Sequence, residues 1–237
     1  MNTREQLLLL SRKYSCYCRF RQRFGVVGFI IRDMDYINIT RLRYFLPVYL
    51  FAYVLLAFVW RSYLVWKRTG INPVTFKGTD NAHDFIGRVS KLVFVLIIVA
   101  VFVYSFFPLA YSYAAPITWL EHTWSRSIGV LLLLLSLLWI ALAQSQMGAS
   151  WRIGIDTEHQ TPLVQKGVFR ISRNPIFVGM MVTLFGLFLT LPNALTLLAF
   201  VLGVVLIGVQ VRLEEEYLVQ VHPEAYQEYR KRVRRWL

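Results

Sequence analysis

The sequence Thr161-Pro-Leu-Val-Gln-Lys-Gly-Val-Phe-Arg-Ile-Ser-Arg-Asn-Pro-Ile-Phe-Val-Gly179 is a polar stretch that continues directly into a long apolar segment. A second unusual block, Arg212-Leu-Glu-Glu-Glu-Tyr-Leu218, follows after two apolar segments that are separated only by Leu191-Pro192-Asn193. So short a connection makes two helices antiparallel neighbours. The two polar blocks are therefore expected to meet on one side of a membrane.

The composition indicates an integral membrane protein. Hydrophobic residues make up 57% of the 237 residues, and four or five apolar segments reach the roughly 20 residues that a helix needs to cross the hydrocarbon core. Helices are expected because backbone polar groups in lipid must form hydrogen bonds within their own segment. We therefore predict an all-α bundle of five transmembrane helices, the last two forming a C-terminal helical hairpin. The predicted spans are 44–60, 92–113, 128–146, 175–191 and 194–211.

The distribution of positive charge predicts the orientation in the membrane. The formal net charge is +13, but Lys and Arg lie at the ends of the apolar segments and form no basic soluble module, which argues against nucleic-acid binding. The loops 67–91 and 149–173 and the tail 230–235 are basic, whereas 114–125 and the Pro192-Asn193 turn contain no Lys or Arg. By the positive-inside rule, the basic loops and the C-terminus face the cytoplasm.

Residues 1–33 do not fit this orientation. Five spans place the N-terminus outside, yet this segment is rich in arginine. Two interpretations are open, an upstream extension that ends before Met34 or an interfacial or re-entrant element. We predict a basic, dispensable or interfacial arm over 1–33 and one membrane domain over 34–237. Cys16 and Cys18 have no partners at metal-ligand spacing and are interpreted as ordinary thiols.

The segments that follow the last span predict helices on the cytoplasmic surface. A charged amphipathic helix continues beyond Val211 and is interrupted at His222-Pro223. A final helix over 224–236 combines tyrosines with a basic cluster, which is typical of helices that lie along a membrane surface.

The two polar blocks carry the candidate chemistry, because the chain contains no P-loop, dinucleotide fingerprint or metal-binding cluster. Pro175 suits the first turn of a helix, where free amides favour an anionic group, and Asn174 precedes it as a cap. Arg212 and Glu216 lie four residues apart on one helix face, which fits either a structural ion pair or a site. The three consecutive carboxylates are tolerated more readily when a cationic ligand or arginines balance them.

These two blocks resemble the isoprenylcysteine carboxyl methyltransferase family of membrane methyltransferases, whose wider kin include phospholipid N-methyltransferases. The family pattern is H-x-L-V, a glycine and an aromatic residue, R-H-P-x-Y-x-G, a helical hairpin, and R-x-x-x-E-E followed by G-x-x-Y-x-x-Y. The resemblance covers about residues 147–237, and its order and spacing make it specific. The matching residues are Leu163, Val164, Gly167, Phe169, Arg173, Pro175, Gly179, Glu214, Glu215, Tyr226 and Tyr229.

The resemblance implies S-adenosylmethionine as the cofactor, held by the segment 161–177 and by the first glutamate of the pair. The implied cofactor-binding residues are Thr161, Leu163, Val164, Gly167, Phe169, Arg173, Asn174, Pro175, Ile176, Phe177 and Glu214.

The chain departs from the family pattern at several positions. Asn174 replaces a histidine and can still form hydrogen bonds, whereas Phe177 replaces a tyrosine and cannot. Gln210 stands where the family's substrate-binding arginine falls, and the nearest arginine is Arg212. Because a guanidinium suits a carboxylate, its displacement leaves the acceptor open among a carboxylate, a lipid amine, a thiol and a small hydroxyl. Replacements also occur at Thr161, Phe169 and Pro223.

We predict a membrane-embedded, metal-free methyltransferase that takes S-adenosylmethionine from the cytoplasm and an apolar or small acceptor from the bilayer. The candidate catalytic residues are Arg212, Glu216 and Gln210. If the acceptor proton must be removed, Glu216 or the loop residue His83 is the candidate base.

Two alternatives stay open. Sterol reductases resemble the same C-terminal region, which implies a membrane reductase that uses NADPH. The replaced histidines and the missing arginine fit a non-catalytic membrane scaffold or transporter.

Overall fold

The computed structural model describes residues 40–75, 81–156, 159 and 161–237. By internal contacts the chain divides into two units, Met1–Phe45 and Leu46–Leu237. The first is described only from Thr40, where the first long helix begins. The arm predicted for 1–33, with Cys16 and Cys18, lies outside the described residues.

The prediction of an all-helical membrane protein is confirmed, since no strand occurs among the described residues and four helices are long and apolar enough to cross a membrane. A fifth apolar helix, α4, has only 16 residues and a length of about 24 Å. The helices are α1 (Thr40–Thr69), α2 (Ala82–Phe106), α3 (Thr123–Met147), α4 (Pro175–Thr190), α5 (Ala194–Val221) and α6 (Pro223–Arg232).

The helix boundaries differ most from the prediction where polar residues continue an apolar helix. Helix α2 begins at Ala82, ten residues before the predicted span at 92–113, because Asn81 caps it by accepting a hydrogen bond from the Asp84 amide. Helix α5 continues past the apolar span to Val221, which confirms the amphipathic helix predicted between Val211 and His222-Pro223. An apolar segment in the sequence marks the part of a helix in lipid, and the helix itself extends into the polar region.

Small residues bring α3 and α4 into close contact. A Cβ atom added at Gly129 would lie 2.3 Å from Oγ1 of Thr190, and one added at Gly186 would lie 3.0 Å from the Gly129 carbonyl oxygen. The Thr183 hydroxyl also donates a hydrogen bond of 2.8 Å to the Ser136 hydroxyl across this interface. Such packing is a general way for helices to associate in membranes, and it places the start of α4 beside the end of α3.

The turn between α4 and α5 forms as the sequence predicts. Asn193 and Thr196 make reciprocal hydrogen bonds at the start of α5, a capping box that begins this helix directly after Pro192. The rings of Phe188 and Phe200 stack at 6.3 Å between the two antiparallel helices. The first turn of α4 and the last turns of α5 therefore lie on the same side of the bundle.

Candidate functional site

The segment 161–174 folds back onto the end of α3. Gly167 adopts a positive φ of 61°, and Oε1 of Gln146 accepts a hydrogen bond of 2.7 Å from the Val168 amide beside it. The Trp139 indole donates a 2.8 Å hydrogen bond to the Pro175 carbonyl oxygen. A small apolar cluster fixes the segment, formed by Ala143, Val168 and Phe169 with Trp139, Met147, Val164 and Ile176.

The C-terminal residues bind the other side of this segment. The Tyr229 hydroxyl donates a 2.5 Å hydrogen bond to the Phe169 carbonyl oxygen, and burial raises the pKa of Tyr229 to about 12, so it stays a donor. The Arg173 amide donates to the Arg234 carbonyl oxygen at 3.0 Å. His222 contacts the Thr161 carbonyl oxygen through Nε2 at 3.0 Å. Helix α6 and the tail thus hold the polar segment against the bundle.

The centre of this arrangement is the buried carboxylate of Glu215. It forms ion pairs with Arg173 at 3.2 Å and Arg235 at 2.9 Å. It also accepts a hydrogen bond of 3.2 Å from the side-chain amide nitrogen of Asn174. The hydrogen bond to Glu215 raises the pKa of Arg235. The Arg173 guanidinium also lies 5.9 Å from the centre of the Tyr226 ring. Arg173 and Asn174, predicted to bind the cofactor, therefore contact Glu215 in this structure.

Gln210 and Glu214 lie one turn apart on the buried side of α5. Gln210 is 8% exposed, and its Oε1 atom is buried without a hydrogen-bond partner. Glu214 is half-buried and forms no ion pair or side-chain hydrogen bond with the described residues. The protein leaves both oxygen groups available, and together they favour a ligand that carries positive charge or hydrogen-bond donors.

The other two candidate catalytic residues face away from Gln210. Arg212 is exposed and donates a 2.5 Å hydrogen bond to the Gly208 carbonyl oxygen. Glu216 is exposed, and the ion pair between Arg212 and Glu216 does not form among the described residues. Both side chains lie on the opposite arc of α5, because a helix turns by about 100° per residue.

Glu216 and His83 line the same cavity, whose volume is about 350 Å³. His83 belongs to the first turn of α2 and not to a solvated loop, and its Nε2 atom accepts a 2.9 Å hydrogen bond from the Ile155 amide. Because that lone pair is occupied, Glu216 is the better placed base of the two. The remaining lining residues are Thr75, Asn81, Ala82, Asp84, Ile155, Leu213, Tyr217 and Gln220.

Other residues predicted to bind the cofactor lie at the edge of the segment or at the start of α4. Leu163 and Phe177 are half-buried, and Pro175 starts α4 as predicted.

The contacts of Glu215, Arg235 and Gln146 were not predicted from the sequence. The need of consecutive carboxylates for arginine partners was a usable signal, but it does not say which arginine is near. Within the described ranges, no group of three or more His, Cys, Asp or Glu side chains is arranged to hold a metal ion.

We expect Gly167→Ala to destabilise the protein by about 2–4 kcal/mol, because it adds left-handed strain and breaks a buried hydrogen bond. A Cβ atom at this position would lie 2.1 Å from Oε1 of Gln146, which must then leave the Val168 amide. Gly70→Ala is the matched control, since Gly70 has φ of 70° with no atom within 4 Å of the added Cβ. Its expected cost is about 1–2 kcal/mol. Equal losses in thermal unfolding of the two variants would contradict the role of Gln146.

Comparison with known proteins matches one part of the chain to a known family. Residues 124–225 match the family model of phospholipid methyltransferase. The matched range extends from α3 through the polar segment and the helical hairpin to the first residues of α6, and includes Gln210, Glu214 and Glu215. No curated protein matches the chain.

Proposed function

We propose that the chain transfers the methyl group of S-adenosylmethionine to an amphipathic or small acceptor. Its residues 124–225 form a domain of the phospholipid methyltransferase family of membrane proteins. The domain is that of a membrane methyltransferase, and the four long apolar helices make the chain an integral membrane protein.

The observation that carries this proposal is the pair of unsatisfied oxygen groups on α5. Among the described residues, the buried amide oxygen of Gln210 has no donor, and the carboxylate of Glu214, one turn further on, has no counter-ion. S-adenosylmethionine, when bound, supplies a methyl group on a positively charged sulfur, and it also carries an ammonium group. A carboxylate and an amide oxygen fit such a cation. The residues present are therefore compatible with the cofactor.

The polar segment supplies the rest of the proposed cofactor site. Thr161, Leu163 and Phe177 are half-buried at the edge of the segment, and the first amides of α4 follow Pro175. These groups would hold the cofactor together with Val164, Gly167, Phe169 and Ile176. Arg173 and Asn174 would act indirectly, because their contacts to Glu215 fix the position of the segment relative to α5.

The acceptor requires an apolar region and, for some chemistries, a base. An apolar cavity of about 110 Å³ lies within the bundle and is lined by all five long or apolar helices, including Tyr49, Val93, Leu133, Thr183 and Ile207. It suits the hydrocarbon part of an acceptor that enters from the bilayer. A carboxylate or thiolate acceptor needs no base, whereas an amine must lose a proton. Glu216, the candidate base, lines the other cavity, so an amine acceptor would have to reach that arc of α5. By the positive-inside rule, the basic loops favour a cofactor site that opens to the cytoplasm.

Titration calorimetry on the detergent-purified chain tests this proposal. We expect saturable binding of S-adenosylmethionine and S-adenosylhomocysteine and no binding of NADPH. Binding of NADPH alone would indicate the membrane reductase, and binding of neither would favour a non-catalytic scaffold or transporter. A methyl acceptor screen with radiolabelled cofactor then identifies the substrate class.

A further inference from the structure

Arg61 is a buried cation on the first membrane helix. It is 7% exposed and continues a buried stripe along α1 that includes Tyr49, Tyr53 and Ala57. Its neighbours on the exposed side of the helix are Trp60 and Tyr63, whose rings lie 6.0 Å apart. Exposed aromatic pairs of this kind lie at the headgroup level of a bilayer. The guanidinium therefore lies inside the protein, near the depth of lipid headgroups.

Arg61 forms no ion pair with a carboxylate in the part of the chain that the structure describes. Its Nη2 atom donates to the Gly148 carbonyl oxygen at the end of α3, and its Nε atom is buried without a partner. No carboxylate of the described residues forms an ion pair with it. Three other mostly buried arginines each have one, in the pairs Arg126–Glu121, Arg152–Asp156 and Arg173–Glu215. A buried, unpaired guanidinium is costly and suits an oxyanion, which it can bind with two parallel hydrogen bonds.

We propose that Arg61 binds the phosphate of a membrane amphiphile whose hydrocarbon part occupies the apolar cavity of the bundle. The same stripe of α1 contributes Tyr53 and Tyr49 to that cavity, at about 12 and 18 Å along the helix from Arg61. A headgroup phosphate and the acyl chain of the same molecule span this distance. That the amphiphile is the methyl acceptor rests on the proposed function, whereas the phosphate site itself does not.

A purely structural role for Arg61 makes a different prediction. A cation at the C-terminal end of α3 stabilises the helix through its free carbonyl groups, and Arg61 contacts the Gly148 carbonyl oxygen there. If this were its whole role, Arg61→Met would lower the melting temperature and leave lipid binding of the folded fraction unchanged.

The test measures binding of dihexanoylphosphatidylethanolamine to the purified full chain by titration calorimetry, without cofactor. Dihexanoylglycerol, which has the same chains and no phosphate, and inorganic phosphate are the comparison ligands. We expect the phospholipid to bind saturably to the wild type, at least about tenfold more weakly to Arg61→Met, and with intermediate affinity to Arg61→Lys. Arg126→Met is the matched control, because Arg126 is paired with Glu121 at the opposite end of α3, and we expect wild-type lipid affinity.

Several outcomes would overturn the proposal. Equal affinity of wild type and Arg61→Met for the phospholipid, or equal wild-type affinity for the phospholipid and dihexanoylglycerol, would remove Arg61 from a phosphate site. Binding of inorganic phosphate with the same dependence on Arg61 and no gain from acyl chains would identify free phosphate as the ligand. If Arg61→Met does not fold, Arg61→Lys and the comparison of ligands decide. A parallel titration with S-adenosylmethionine separates failure of the proposed function from failure of this site.

Discussion

Glu214→Gln is expected to weaken the binding of S-adenosylmethionine at least about tenfold while the protein stays folded. The substitution keeps the shape of the side chain and removes its negative charge. Glu214 has no ion pair or side-chain hydrogen bond among the described residues, so its loss leaves no protein group unpaired. The melting temperature should therefore be close to that of the wild type, and titration calorimetry should report the loss of affinity.

Glu216→Gln is the matched control for this measurement. It makes the same chemical change two residues further along α5, on the exposed side of the helix. We expect it to bind the cofactor with wild-type affinity. If Glu214→Gln and Glu216→Gln bind S-adenosylmethionine equally well, Glu214 does not belong to the cofactor site.

Glu215→Ala is expected to destabilise the folded protein by about 3–5 kcal/mol, the range for removing one partner of a buried ion pair. The carboxylate is 5% exposed and contacts Arg173, Asn174 and Arg235. Its removal leaves the buried Arg173 guanidinium without a counter-ion. It also removes the ion pair that joins Arg235 of the tail to α5, while the hydrogen bond from the Arg173 amide to the Arg234 carbonyl oxygen remains.

Thermal unfolding monitored by circular dichroism measures this effect, with Glu216→Gln again as the control. A change within about 0.5 kcal/mol is expected there, as for most surface substitutions. Glu215→Gln keeps one oxygen for the Asn174 amide and should lose less stability than Glu215→Ala. A melting temperature of Glu215→Ala equal to that of the wild type would show that the contacts around Glu215 contribute no net stability.

The two glutamates illustrate which part of the site can be predicted from the chain alone. Their position beside the polar segment follows from the short Leu191-Pro192-Asn193 connection, which the structure confirms. Which of the two glutamates pairs with the arginines does not follow from the sequence. Glu214 and Glu215 are adjacent in sequence but about 100° apart around α5, and only the packing of the tail decides which of them meets the arginines.

The fold was predictable where the physical constraint is local. Long apolar segments require helices in lipid, and Asn193 before Thr196 starts α5 by a capping box. The start of α2 was less predictable, since hydrophobicity does not mark its polar first turns, whereas the polar turns of α5 end at His222-Pro223 as predicted. The surroundings of Arg212 and His83 could not be predicted either, because neither the outward direction of Arg212 nor the hydrogen bond between Ile155 and His83 leaves a pattern in the sequence.

The sequence by itself therefore determined a helical membrane protein, an antiparallel hairpin near its end and a polar site where the two blocks meet. These properties depend on hydrophobic length, short connections and capping residues, which act over a few residues. Only the tertiary structure decided that Glu215 is neutralised by Arg173 and Arg235. It also decided that, among the described residues, Oε1 of Gln210 and the carboxylate of Glu214 have no partner and Arg61 is buried without a carboxylate. Burial and charge pairing depend on residues far apart in the chain, and their contacts exist only after the helices have packed.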